Sequence, residues 1–247
     1  MSGRPPAVSL LFASGKRPTA KAIAEHLAEI EGIELAFQAD AGRDSPALPA
    51  RTQLLANGLT FDIVGLAPGP PADRPHRRSD SHVDGSDLDV CTAITIMPGA
   101  HLAGGRRMAP VLRSMAWLAA ACTDLAGVEA VVWQAARCWS NPRDFRKGIE
   151  SWIANGDFPG LLLTSLAPAP DGGLHSEGLA LFVGQDLRIE PDLAKDLDAA
   201  TRLALRLFDY LGERGKIVKT ERVAGPAGER LELSPSANRQ FVRVSRG

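Results

Sequence analysis

Along the chain, apolar residues come in two patterns: short runs, continuous or alternating with polar residues, and longer stretches in which they return every third or fourth position. The first belongs to strands, whose side chains point alternately to two faces, and the second to helices buried along one stripe. Residues 7–13 (AVSLLFA) are an apolar run closed by Ser14 and Gly15, which predicts a buried strand. Thr19 then stands where a helix N-cap belongs, and Ile23, Leu27 and Ile30 share one face before Gly32. Residues 33–38 alternate and predict a second strand. Residues 59–66 (LTFDIVGL) predict a third, after a loop rich in turn residues at 40–50.

Residues 67–89 hold almost nothing apolar and predict a flexible polar loop. A β-branched, alternating strand is expected at 90–97 (VCTAITIM). A long helix should follow at 107–125, with Val111, Leu112, Met115, Leu118 and Cys122 on one stripe. Residues 128–134 predict a strand, and Asn141-Pro142 starts a helix that turns Phe145, Ile149, Trp152 and Ile153 inward and stops at Gly156. Residues 161–166 and 178–183 are expected as strands joined by a loop at 167–177. A second long helix is expected from Pro191, with Leu193, Leu197, Ala200, Ala204, Leu207 and Leu211 inward and Lys195, Asp196, Asp198, Arg202, Arg206 and Asp209 outward. Short strands at 217–223, 230–233 and 240–244 close the chain.

This alternation predicts an α+β fold, a mixed and largely antiparallel sheet with helices packed on it. Two divisions fit: a single domain over 1–247, or two related α/β halves, 1–66 and 90–247, joined by the polar loop 67–89.

Composition narrows the function classes. Lys plus Arg (28) and Asp plus Glu (29) nearly cancel, so no global positive field draws in nucleic acid. No apolar run approaches the ~20 residues of a membrane span, and the start of the chain lacks a signal-peptide pattern. The cysteines, Cys91, Cys122 and Cys138, are odd in number and sit among small or apolar neighbours, as core fillers do in a reducing compartment. Together these features predict a cytoplasmic protein.

Candidate chemistry is sparse. Ser14-Gly15-Lys16-Arg17 lies where a phosphate loop would, but Leu10 stands in place of the first glycine and Arg17 in place of the Ser/Thr, so Thr19 reads as a helix cap. Asp80, His82, Asp84, Gly85 and Asp87 resemble the start of a calcium loop, yet His82 fills the third position and Cys91 the twelfth, which needs a bidentate Glu. His76 and His82, with Asp80 or Asp84, are the remaining metal candidates, and no metal or cofactor is expected. The hydrolase elbow, zinc-helix and dinucleotide fingerprints are absent. His175, Ser176 and Glu177 are consecutive, so their side chains diverge along an extended chain. His175 and Glu177 are the acid–base candidates of an alternative reading, an enzyme or small-molecule binder with a pocket at the 167–177 loop.

Trp117, Trp133, Trp139 and Trp152 fall on elements that read as core. Trp139 and Phe145, flanking the Asn141-Pro142 turn, are the pair expected to be exposed if that region meets a partner. Three stretches carry a family likeness: 61–71 (FDIVGLAPGPP), 127–145 (GVEAVVWQAARCWSNPRDF) and 174–190 (LHSEGLALFVGQDLRIE). On these, residues from about 8 to 217 resemble the bacterial family named domain of unknown function 4261. A Trp-containing segment of that family's pattern is replaced here by the polar stretch around His82. The resemblance implies an α+β fold in a bacterial cytoplasm and no catalytic residues. The reading that results is a non-enzymatic protein acting through protein contacts, as an accessory, regulatory or immunity-type partner.

Overall fold

The computed structural model describes residues 6–36, 51–76, 79–81, 83, 88–226 and 228–247. The chain separates into two units, residues 1–156 and 157–247. The boundary therefore falls at Gly156 rather than in the polar stretch 67–89. The reason is strand pairing: β1 (Val8–Phe12) lies between β6 (Thr92–Pro98) and β7 (Val128–Trp133), so the proposed halves 1–66 and 90–247 share one sheet.

The first unit also contains α1 (Ala20–Leu27), β2 (Ile33–Ala36), β3 (Arg51–Ala56), β4 (Leu59–Val64), β5 (Ser79–Ser81), α2 (Ala109–Ala121), β8 (Cys138–Ser140) and α3 (Pro142–Ile153). Its eight-stranded sheet runs β2-β3-β4-β6-β1-β7-β8-β5 and is antiparallel except at the β5–β8 edge. The central strand reads as a continuous apolar run because both its faces are covered. On one face Leu11 joins Ala93, Ala130, Val132 and Trp139 in a cluster closed by Leu88 and Cys91, with Ala72 and Val83 packed against it. Parts of the expected polar loop are thus seated on the sheet. The helices cover the opposite face, α2 against β1, β4 and β6 and α3 against β7.

Local rules explain most of these elements. Thr19 caps α1 by accepting from the Ala22 N–H at 3.1 Å, and Arg17 donates to the carbonyls of Gly65 and Gly69 at 2.5 and 2.9 Å. Asn141 caps α3 with Pro142 at its first position, and Phe145, Ile149 and Trp152 are buried as expected. Strand β3 escapes the pattern reading because RTQLLA does not alternate. Its hairpin signal is Asn57-Gly58, whose φ values of +51° and +75° suit the tight turn into β4.

The second unit contains α4 (Gly160–Leu163), β9 (Ser165–Pro168), β10 (Leu174–Glu177), α5 (Ala180–Val183), β11 (Asp186–Ile189), α6 (Leu197–Arg214), β12 (Glu221–Ala224), β13 (Arg230–Pro235) and β14 (Phe241–Arg246). Its six-stranded sheet runs β12-β13-β14-β11-β10-β9, with only β11 and β14 parallel. Ala200, Leu203, Ala204, Leu207, Phe208 and Leu211 of α6 pack on Leu187, Ile189, Leu231, Leu233, Val242 and Val244. Each such leucine or phenylalanine contributes roughly 1.5–3 kcal/mol on leaving water. The α+β class holds, with one sheet in each unit.

Two expected strands are corrected here. Residues 160–163 and 180–183 are short helical turns, and the strands lie just beyond them. Short apolar runs do not distinguish a strand from a buried helical turn. At Gly160 a side chain is impossible in place, since a Cβ would stand 2.6 Å from the Phe208 ring, and this close approach seats α4 on α6. The last long helix begins at Leu197 rather than Pro191, because Asp196 accepts from the Ala199 N–H at 3.0 Å and starts it there. Leu197 consequently points outward, 58% exposed, instead of lining the core.

Candidate docking groove

The stretch expected as a pocket-forming loop at 167–177 is a hairpin. β9 and β10 pair antiparallel, and the turn between them closes through the Ala169 N–H on the Gly173 carbonyl at 2.7 Å. His175 and Glu177 share the sheet face turned away from α6, with Leu174 and Ser176 on the other. Ser176 is buried, donating to Asp186 at 3.0 Å and accepting from the Leu187 N–H at 2.7 Å. The three consecutive side chains therefore diverge, as an extended chain requires.

His175 stands opposite Arg188 and Glu177 opposite Ser165. Arg188 pairs with Asp171 and lies 3.6 Å from Glu190, which also accepts from Arg243 at 2.7 Å. This row of alternating charges crosses a sheet face, and neither of the two grooves described below is lined by His175 or Glu177.

Of the metal candidates, His82 and Asp84 lie outside the described residues, the Asp80 side chain is not described, and His76 is exposed. Among the described residues no three His, Cys, Asp or Glu side chains are grouped to hold an ion. The cysteines are buried and unbridged, and burial pushes the Cys122 thiol up to about 12, far from a reactive thiolate at neutral pH. Trp139 and Phe145 are 1% and 0% exposed, so the patch anticipated around Asn141-Pro142 does not exist. They belong to the core because Trp139 lies on the covered sheet face and Phe145 on the inward stripe of α3.

Each unit carries a groove. The one in the first unit, about 380 Å³, lies at the start of α3 among Asp124, Glu129, Arg143, Arg146, Lys147 and Glu150. Of its charges, Arg146, Asp124 and Glu150 are paired, whereas Arg143, Lys147 and Glu129 enter no ion pair among the described residues. Arg146 donates to Glu150 at 2.7 Å and also to Asp124, and these bonds, Glu150's first, hold its guanidinium above the usual arginine range.

The groove of the second unit, about 720 Å³, runs along one flank of α6. Ala199 and the half-buried Leu193 and Leu205 give it some apolar surface over the buried Leu203, and Pro226 and Glu229 of the β12–β13 turn line it with Arg246. Two of its acids are committed: Asp196 caps α6, and Asp192 lies 3.4 Å from Arg246. Lys195, Arg202 and Arg206 enter no ion pair among the described residues and are exposed. Arg202 and Arg206 stand one helical turn apart, a like-charge spacing with a small local cost, with Asp198 four residues before Arg202 and Asp209 three after Arg206 on the same helix.

Sequence reading had assigned these arginines to the solvated side of the helix. The available signal was that spacing, since Arg206 has no carboxylate four residues away on either side. No protein-family model, curated protein or solved structure matches the chain. No helix among the described residues is long and apolar enough to cross a membrane.

Proposed function

We propose that this protein acts by holding another protein at the α6 groove, as a non-enzymatic accessory or regulatory component of a bacterial cytoplasm. The observation that carries the reading is apolar surface beside three exposed cations, Lys195, Arg202 and Arg206, that enter no ion pair among the described residues. A water-facing helix gains nothing from that arrangement. A bound segment that brings apolar side chains and carboxylates together would bury the first and neutralise the second. The near-zero net charge leaves no general field for nucleic acid, and membership of the bacterial domain of unknown function 4261 family is part of the proposal without adding a role.

The test is selection of random displayed peptides on the full-length protein. Enriched sequences should combine leucine- or phenylalanine-like residues with Asp or Glu. Their binding should fall at least about ten-fold, or 1.4 kcal/mol, with Arg202→Glu and Arg206→Glu together. Binding that ignores both substitutions, or selection of basic peptides, overturns the reading. So does a small molecule or metal that raises the Tm of the wild type and of the double variant alike, because that would locate the ligand elsewhere.

A further inference from the structure

We draw no further inference here: the strongest candidate, the side-chain cluster of Ser165, His175 and Glu177 on the face of β9 and β10 turned away from α6, carries nothing because the Ser165 Oγ is buried with no hydrogen-bond partner among the described residues and neither groove opens on the three.

Discussion

The two grooves share a pair of cations one helical turn apart, Arg143 and Lys147 on α3 and Arg202 and Arg206 on α6, and differ in that the first also holds Arg146 between two carboxylates. Along α3, Arg146 reaches Asp124 and Glu150, and the helix is fixed from beneath by Phe145, Ile149 and Trp152. Its far end is held as well: Arg113 stacks over Trp152 with its guanidinium 4.5 Å from the ring centre and donates to the Trp152 carbonyl at 3.1 Å. At the α6 groove Asp196 and Asp192 are engaged, and Lys195, Arg202 and Arg206 enter no ion pair among the described residues. A cleft with internally matched charges offers an incoming group little that water does not, whereas unmatched charge next to apolar surface offers both specificity and burial.

The most severe way to break this contrast is at the base of α3. Phe145→Ala removes a side chain that is 0% exposed and should cost about 3–5 kcal/mol in urea unfolding. A loss below about 1 kcal/mol would mean that α3 is not anchored as described. Next in size, reversing Arg202 and Arg206 together should weaken a selected acidic peptide by about 100-fold, near 2.7 kcal/mol, and leave stability within about 0.5 kcal/mol. Unfolding of the double variant would instead make those residues structural.

A smaller effect concerns Asp186, whose carboxyl is raised above the ordinary aspartate value by burial, against bonds from Ser176 and the Ala180 N–H. A carboxyl raised in the folded state holds its proton longer than the unfolded chain does. Its contribution is therefore most favourable below about pH 4 and declines as pH rises from there to the raised folded value. Asp186→Asn keeps one acceptor and removes that slope, so the variant should gain on the wild type as urea unfolding is repeated at pH values rising from about 3. A difference independent of pH would refute the assignment. Smallest of all, Arg146→Ala loses exposed pairs worth about 0.2–1 kcal/mol in total and should leave peptide binding at α6 unchanged. A fall in peptide affinity there would erase the distinction between the grooves.

Much of the fold was legible because it follows local rules. Thr19 and Asn141 start helices through their own side-chain oxygens, and the apolar run at 8–12 can only be buried on both faces, whereas α3 ends at Ile153 with Asn155, at φ +67°, rather than Gly156 in the left-handed turn. The hairpin at Asn57-Gly58 was equally local and was passed over because its first strand does not alternate. The misread segments, 161–166 and 178–183, are short apolar runs, and there periodicity lacks the length to choose between strand and helical turn. Of the candidate site, the outward position of Arg202 and Arg206 was legible, and their pairing with a groove was not.

By itself, then, the amino-acid order determined which stretches are strands or helices wherever caps, turns and periodicity agree. That His175 and Glu177 share a face that Ser176 does not was decided by the pairing of β10 with β9 and β11. Tertiary structure alone decided that the chain parts at Gly156, that Trp139 and Phe145 are covered, and that Leu193, Pro226 and Arg246 meet α6 beside Arg202 and Arg206. The physical reason is range: capping and periodicity act over one or two turns of chain, whereas burial and the matching of charges depend on which distant segments arrive at the same place.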